Sequence, residues 1–350
     1  MSGEATLGEI AEQFDVWKGL LDDIELLQSD VNHNFGVKEY DDVIFVGAGS
    51  SYHLASAAAS EFRRTTGEMA YSFPASEVIY FCDYLIKKER KYIAVFFSRS
   101  GRTPETIQAM ETLRANFRCI TVAVSCDPTG PICKHCDIAF PVKNCVEQSI
   151  IMTKSFTSML MVSYMFSMAL GEKFTYANYL EQLSEEGKAA FEMQRRIIDR
   201  VVAEEPLNKI TILGGGPFYA LAKESGLKLD EMAFLRSQVL SPNELRHGPI
   251  AGVNGSDLII MFMSDSAKIL ELRILREAKS LGARTVVFSD RKEAEFDSFA
   301  DHLMLTGRGL PEQYRGILYI PFIQYMAAKT AIAMGIDPDN PPNLTRVVTY

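Results

Sequence analysis

An internal duplication constrains the fold of this chain more than any other feature of its sequence. Three segments recur in the second half at nearly constant offsets of 164 to 167 residues. The matched pairs are residues 47–55 with 214–222, 98–100 with 264–266, and 121–125 with 285–289. Similarity at a near-constant offset indicates a duplicated structural unit, so we expect two copies of one domain.

Each copy is predicted to be an α/β domain. Short runs rich in Val, Ile and Phe alternate with helical patterns, which is typical of buried parallel strands with helices on both faces. The predicted strands are Asp42–Gly47, Tyr92–Phe97, Cys119–Ser125 and Ile138–Val142 in the first copy, and Lys209–Leu213, Leu258–Met263, Arg284–Ser289 and His302–Leu305 in the second. We therefore expect one parallel sheet in each copy.

The same patterns predict where the domains begin and end. Residues 1–40 are predicted to be an N-terminal helical segment, with one helix from about Leu7 to Val31. Residues 41–175 are expected to form the first domain, 176–205 a helical connector, and 206–350 the second domain with a C-terminal tail. A chain of 350 residues is long enough for both domains to bury their own cores.

Charge and hydropathy exclude several classes of partner. The net charge is −9, and no block rich in Lys and Arg occurs. We therefore expect no nucleic acid and no anionic membrane as the main partner. The most apolar stretch, Phe156 to Ala169, is too short to span a bilayer and is predicted to be a buried helix. The N-terminus lacks a signal-peptide pattern, so we expect a cytoplasmic protein.

The six cysteines do not predict a disulfide framework. Cys133 and Cys136 have the CxxC spacing that zinc sites use, but no second pair and no paired histidines follow. We prefer reduced cysteines around a short buried turn, and we expect no metal.

The loop that follows the first predicted strand, Gly47 to Ser51, is rich in glycine and serine. It suggests a dinucleotide fingerprint, but the third glycine of that motif is replaced by Tyr52, and no acidic residue closes a second strand about 20 residues on. We therefore expect no nicotinamide and no other cofactor. Two serine hydroxyls at a helix N-terminus suit a sugar hydroxyl or an anion better.

The loop Ser98–Thr103 carries the groups that bind an anion. Thr103 is a suitable N-cap and Pro104 suits the first helical position, so backbone N–H groups and the helix dipole should face the loop. Three hydroxyls and two arginines add donors, and Gly101 lets the backbone approach. A capped surface turn is the alternative. The second copy has Ser264–Lys268 here, with an added acid and neither Gly nor Thr, which suggests one phosphate site per chain.

The second copy supplies titratable groups. Glu224, Lys228 and Glu231 lie at i, i+4 and i+7 and should share one face of the helix after Gly214–Gly216. Such a trio is usually a solvated salt-bridge face. His247 lies in a loop before Gly-Pro, where a lone histidine is usually a surface residue.

With these residues the chain resembles the tandem sugar-isomerase (SIS) family from about Asp41 to Tyr350. The matching motifs are residues 48–53, 98–103, 147–157, 224–231, 243–249 and 340–346. The resemblance implies an α/β fold of two tandem flavodoxin-like SIS domains, each a parallel sheet flanked by helices.

The resemblance also implies the residues of the site. The implied substrate-binding residues are Gly49, Ser50, Ser51, Ser98, Arg99, Ser100, Thr103, Ile150 and Arg346, of which Ser98, Arg99, Ser100 and Thr103 would bind the phosphate. Glu231 would move a proton between C1 and C2 of the sugar, with Glu224 and Lys228 as its supporting charged pair. His247 would assist ring opening across a dimer interface, so a homodimer with composite sites is implied.

Two positions depart from the family pattern. The family has a Schiff-base lysine in its C-terminal tail, where this chain has Arg346. An arginine stays protonated and cannot be that nucleophile. Met152 replaces a serine that contacts the sugar. The first change favours an enediol or amine-elimination path without covalent lysine catalysis.

The resemblance implies a phosphosugar aldose–ketose isomerase or deaminase. The expected substrate is glucosamine 6-phosphate, converted to fructose 6-phosphate and ammonia by C1–C2 proton transfer. Three alternatives stay open: a fructosamine 6-phosphate deglycase that releases an amino acid, an isomerase of another anionic sugar such as a sulfonate sugar, and a non-catalytic sugar-phosphate sensor.

Overall fold

A computed structural model describes residues 3–35, 40–171, 177–204, 207 and 209–346 of the chain. These residues form two compact units. The first unit contains residues 12–147, 152–181 and 345–346, and the second contains residues 3–11, 148–151 and 182–344, apart from the gaps just given. The predicted domain limits at residues 1, 175, 176, 205, 206 and 350 lie outside the described residues.

Helices and strands alternate along both units. The helices are α1 (Glu4–Leu21), α2 (Ile24–Phe35), α3 (Ser50–Thr66), α4 (Ala75–Leu85), α5 (Pro104–Asn116), α6 (Pro131–His135), α7 (Lys154–Leu170), α8 (Ala177–Glu204), α9 (Tyr219–Ala233), α10 (Lys268–Ser280), α11 (Phe296–Phe299), α12 (Glu312–Arg315) and α13 (Ile320–Ala333). The strands are β1 (Asp42–Gly47), β2 (Ala70–Pro74), β3 (Lys91–Phe97), β4 (Arg118–Ser125), β5 (Ile138–Pro141), β6 (Lys209–Gly214), β7 (Ser237–Leu240), β8 (Asp257–Phe262), β9 (Arg284–Ser289) and β10 (His302–Leu305).

Each unit contains one sheet of five parallel strands, and the two sheets have the same topology. The strand order is β2-β1-β3-β4-β5 in the first unit and β7-β6-β8-β9-β10 in the second. This is the flavodoxin-like order, in which ligands bind at the carboxyl ends of the strands where the order reverses. The predicted fold class is therefore confirmed. Candidate sites are expected at the loops after β1 and β3 in the first unit and after β6 and β8 in the second.

Two strands, β2 and β7, are missing from the sequence prediction. Each is an edge strand that pairs with one neighbour only, and most of its residues are partly exposed. A half-exposed edge strand can do without a continuous apolar run, and AYSFP and SQVL have none. The other two edge strands, IAFP and HLML, do have such a run and are predicted. The first residues of the two strands, Ala70 and Ser237, are 167 residues apart, as the duplication predicts.

The N-terminal helix prediction is wrong in one respect, because the predicted single helix is two helices. α1 ends at Leu21 and α2 begins at Ile24, after a turn at residues 22–23. The indole N–H of Trp17 donates to Thr157 Oγ1 of α7 at 3.0 Å. α7 itself is buried from Lys154 to Ala169, which confirms the predicted buried helix. Among the described residues, no helix combines the length and the apolar character needed to cross a bilayer.

The turn between β1 and α3 depends on two glycines. Gly49 has a φ of 57°, in the left-handed region that favours glycine. Gly47 ends β1 so close to the start of α3 that an added Cβ would collide with the backbone carbonyl of Ser51 and lie 2.8 Å from Tyr52 N. The β1–α3 turn therefore has no room for a side chain at residue 47.

We predict that Gly47→Ala destabilises the protein by about 2–3 kcal/mol or more, because the clash is with backbone that cannot move without distorting the turn. Chemical denaturation followed by circular dichroism measures the change. Gly19→Ala is the control, because Gly19 lies in α1 with open space around its Cα and should gain about 0.5–1 kcal/mol from better helix propensity. Equal stability of the two variants would contradict the prediction.

Candidate functional site

The loop after β3 is a tight turn that begins the candidate site. Ser98 is buried, and its Oγ lies 3.1 Å from Thr103 Oγ1. The Gly101 N–H donates to Ser98 O at 3.1 Å, and Gly101 has a φ of 64°. An added Cβ at residue 101 would lie 3.0 Å from the Cα of Gly130, so this glycine permits both the turn and the close approach.

Thr103 and Pro104 occupy the positions that the sequence predicts for the start of α5. Pro104 is the first helical residue and Thr103 precedes it. The Thr103 hydroxyl, however, contacts Ser98 and makes no side-chain cap on the helix. The first-turn N–H groups of a helix have no partner within the helix, so this start can present them to an anion.

Arg99 is fixed by a buried carboxylate that the sequence prediction missed. Its Nη1 lies 2.9 Å from Glu147 Oε2, with the arginine side chain 11% exposed and the glutamate side chain fully buried. Glu147 also accepts from the backbone N–H and the hydroxyl of Thr153, at 2.8 and 3.0 Å, and from those of Ser155, at 2.9 and 2.7 Å. One carboxylate therefore joins the loop after β3 to the start of α7.

A cleft of about 350 Å³ opens beside this loop in the first unit. It is lined by Arg99, Ser100, Cys126, Asp127, Pro128, Cys145, Val146, Glu147 and Arg346. Arg99 Nη2 also donates to the backbone carbonyl of Arg346 at 3.4 Å, so the C-terminal tail and the anion loop meet here. Arg102 is absent from the lining, because its guanidinium pairs with Asp127 at 2.9 Å.

The serines after β1 lie at the start of α3. Ser50 and Ser51 are both buried there. Because β1 and β3 are neighbouring parallel strands, the loops after them lie at the same edge of the sheet. Gly49, Ser50 and Ser51 are not among the residues that line the cleft beside Arg99.

The predicted acid–base residues of the second unit form a buried cluster on α9. Lys228 Nζ lies 3.2 Å from Glu224 Oε1 and 2.6 Å from Glu231 Oε2. Lys228 and Glu224 are buried, whereas the Glu231 side chain is 22% exposed. Burial lowers the pKa of Lys228, but the two carboxylates raise it by more, so the lysine stays protonated. The trio is not the solvated face that its spacing usually indicates.

His247 and Ile150 are two further predicted site residues of the second unit. His247 follows a short 3₁₀ helix, is exposed, and has its Nε2 3.4 Å from Asn243 Nδ2. Ile150 belongs to a short segment of the second unit, where its N–H donates to Asp339 O at 3.2 Å. Glu9 holds the same segment by accepting from the backbone and the hydroxyl of Ser149.

The loop after β8, Ser264–Lys268, is the counterpart of the anion loop, but its donors are already used. The Ser264 N–H and hydroxyl both donate to the Glu271 carboxylate, at 2.7 and 2.8 Å. Burial raises the pKa of Glu271 to about 7. Asp265 pairs with the buried Arg315 at 2.8 Å. This loop therefore holds a carboxyl group of its own in place of a bound anion.

Among the described residues, no other metal-binding side chains join Cys133 and Cys136 to form a zinc site. Cys133 and Cys136 direct their thiols at the backbone carbonyls of Asp127 and Ile138, at 3.7 and 3.2 Å. Burial raises the pKa of both thiols, to about 11 for Cys136, so both are protonated. In the described ranges, no group of three or more His, Cys, Asp or Glu side chains is placed to hold a metal ion.

Comparison with known proteins identifies the family of this duplicated flavodoxin-like chain. The SIS domain model matches residues 38–169 and 206–330, so the chain belongs to the SIS domain family. The glutamine–fructose-6-phosphate aminotransferase (isomerizing) of Thermococcus kodakarensis is 29% identical over 89% of this chain and 53% of its own length. That of Brucella abortus is 28% identical over 88% of this chain and 52% of its own length. The chain thus spans about half the length of these relatives.

Solved structures resemble the chain over its whole length. The glucosamine-6-phosphate deaminase of Thermotoga maritima has a TM-score of 0.79 and 26% identity, covering 99% of this chain and 100% of that one. The tagatose-6-phosphate ketose/aldose isomerase of Escherichia coli has a TM-score of 0.87 and 20% identity, covering 99% and 97%. The second likeness shows the fold alone.

We predict that Glu147→Gln lowers the free energy of unfolding by about 3–5 kcal/mol, because it leaves the Arg99 charge buried without its carboxylate. Urea denaturation measures the loss. Arg102→Gln is the control, since it breaks the exposed pair with Asp127 and should cost at most about 1 kcal/mol. A Glu147→Gln variant as stable as the control would mean that Glu147 does not organise the loop.

Proposed function

We propose that the chain is a phosphosugar aldose–ketose isomerase/deaminase that converts glucosamine 6-phosphate to fructose 6-phosphate and ammonia. The observation that carries the proposal is the α9 cluster, in which a partly exposed carboxylate, Glu231, lies 2.6 Å from a buried and protonated Lys228. A carboxylate that acts as a general base must be held firmly and still reach its substrate. The likeness to the Thermotoga maritima deaminase supports the same reaction class.

The proposed reaction assigns binding to the first unit. Ser98, Ser100 and Thr103, with the N–H groups at the start of α5, bind the phosphate, and Arg99 contributes its charge. Gly49, Ser50 and Ser51 bind sugar hydroxyls. Anchoring the phosphate supplies binding energy that orients the reacting carbons.

The proposed chemistry belongs to the second unit. His247 assists ring opening, and Glu231 removes the proton from C2 of the open-chain aldehyde. The aldehyde oxygen gains a proton as C2 loses its own, which gives an enaminol. Protonation of C1, with loss of a proton from the nitrogen, then gives a C1 hydroxyl and an imine at C2. Water then hydrolyses the imine, which releases ammonia and leaves the ketone of fructose 6-phosphate. Every step moves protons or water only, so no cofactor takes part.

A second candidate is a deglycase that acts on an amino-acid adduct of a sugar phosphate. Arg346 lines the same cleft as Arg99, and a guanidinium is well shaped to bind a carboxylate. The substrate's amino-acid carboxylate would pair with Arg346, and hydrolysis would release the amino acid instead of ammonia. A sulfonate sugar would use the same anion loop, because sulfonate and phosphate oxygens accept the same hydrogen bonds.

The decisive experiment supplies the pure protein with glucosamine 6-phosphate, fructosamine 6-phosphates, plain 6-phosphosugars and a sulfonate sugar. Ammonia, released amino acid and aldose–ketose conversion are followed in parallel. We expect ammonia from glucosamine 6-phosphate. Released amino acid would favour the deglycase, and binding without turnover of any sugar would favour a non-catalytic sensor.

In the same assay, Glu231→Gln should lower kcat by about 10²–10⁴-fold, because the amide cannot accept the C2 proton. Binding of the phosphosugar, measured by isothermal titration, should change little. Glu192→Gln is the matched control, since it removes an exposed carboxylate of α8. Turnover by Glu231→Gln at the control's rate would show that another group moves the proton.

We propose further that the active form is a homodimer whose sites take His247 from one copy and Glu231 from the other. Glu231→Gln and His247→Ala chains, each nearly inactive, are given different tags, co-expressed and purified as mixed dimers. One of the two sites in a mixed dimer then has both groups, so about half of the wild-type activity should return. A verified mixed dimer that stays inactive would place both residues in one chain's site.

A further inference from the structure

The second unit contains a cleft to which the proposed reaction assigns no role. Its volume is about 220 Å³, and we name it the second cleft. It lies at the loops after β6 and β8, where the strand order of the second sheet reverses. That is the usual ligand position in a flavodoxin-like sheet. The volume is below the roughly 300–1,000 Å³ of drug-sized pockets, which limits the ligand to about the size of a monosaccharide.

The polar groups of the second cleft are hydroxyls, an amide and two carboxyls. They belong to Ser241, Asn243, Ser264, Ser266, Glu271 and Glu312. Among the described residues that line it there is no Arg, Lys or His. The cleft of the first unit, by contrast, is lined by Arg99 and Arg346. The two clefts therefore suit ligands of different charge.

Glu271 is a polar group that hydrogen bonds hold in a fixed position in this cleft. Its side chain is fully buried, and Ser264 fixes the carboxylate through two hydrogen bonds. Ser264 Oγ in turn accepts from the Ala267 N–H at 3.0 Å. A Cβ added to Gly215 would lie 3.8 Å from Glu271 Oε1, which places that oxygen beside the backbone of the loop after β6. The carboxylate thus occupies the loop whose counterpart we propose for phosphate.

An occupied anion loop changes what the cleft can bind. A phosphate would find the Ser264 donors already used by Glu271. It would also be repelled by Glu271 wherever that carboxyl group, with a pKa of about 7, is ionised. Missing donors and repulsion therefore both act against phosphate. A carboxylate next to serine and amide groups accepts hydrogen bonds from sugar hydroxyls. Glu312, whose Oε2 lies 3.3 Å from Ser266 Oγ, adds a second acceptor.

We propose that the second cleft is a binding site for an unphosphorylated monosaccharide, which donates its hydroxyls to Glu271 and Glu312 and is flanked by Ser241 and Asn243. A protonated amino sugar suits the site best, because its ammonium group pairs with a carboxylate. The inference stands on the second cleft alone and does not depend on the proposed reaction.

The test is a binding titration of glucose, glucosamine and the 6-phosphates of both. The full-length chain is titrated by isothermal calorimetry, and ligand-observed NMR confirms each contact. We expect both free sugars to bind, with glucosamine the tighter ligand. Glu312→Gln should weaken glucosamine about 10-fold to 100-fold, the usual effect of removing a charged hydrogen-bond partner. Glu271→Gln should do the same, and Glu312→Gln serves where that buried variant does not fold.

Two control variants test whether glucosamine binds in the second cleft and not elsewhere. Glu295→Gln removes an exposed carboxylate of the same unit outside the cleft and should leave glucosamine affinity unchanged. Ser100→Ala alters the cleft of the first unit and should also leave it unchanged. The proposal is overturned if neither free sugar binds, if Ser100→Ala rather than Glu312→Gln abolishes binding, or if Glu312→Gln weakens a 6-phosphate as much as the free sugar.

Discussion

In each unit an ion pair ties the loop after the unit's third strand to the segment before its last long helix. The pair is Arg99 with Glu147 in the first unit and Asp265 with Arg315 in the second. The charges have exchanged places between the copies, while the connection has been kept. Glu147 and Arg315 are buried, whereas the Asp265 side chain is 44% exposed. Because a buried charge without its partner is costly, Glu147 and Arg315 are the members that most need their partners. This pair sets the shape of the loop on which each cleft depends.

The loops after β3 and β8 thus occupy equivalent places in the two sheets but differ in their side chains. In the first unit, Gly101 and Thr103 keep the loop tight, and its helix start can present N–H groups to an anion. In the second unit, Glu271 fills the equivalent loop from its own helix, at a position 166 residues beyond Glu105. Each copy of the domain thus has a cleft at the same place in the fold, and one carboxyl group, Glu271, distinguishes the loop of the second copy from that of the first.

The central strands could be predicted because strands buried on both faces need continuous apolar runs, as Asp42–Gly47 shows. The edge strands β2 and β7 could not, because AYSFP and SQVL lack the apolar run that made the other two edge strands, IAFP and HLML, predictable. At the site, the spacing of Thr103 and Pro104 located the start of α5 correctly. The importance of Glu147 was not visible, because its partner Arg99 lies 48 residues away and only the folded chain brings them together. The burial of the α9 trio likewise depends on what packs against it, which spacing does not encode.

The burial of Lys228 limits the part that this residue can take in the proposed reaction. A lysine forms a Schiff base only as a neutral amine, and Lys228 is held protonated between Glu224 and Glu231. Arg346, the tail residue beside Arg99, has a guanidinium where a Schiff base needs a lysine amine. Neither cation is therefore available as a nucleophile, and both act through charge. Lys228 lies 2.6 Å from the Glu231 carboxylate. In the proposed reaction, Glu224 would balance the buried ammonium when Glu231 takes up a proton. A cluster of one cation between two carboxylates is thus suited to moving a proton back and forth, with no covalent intermediate.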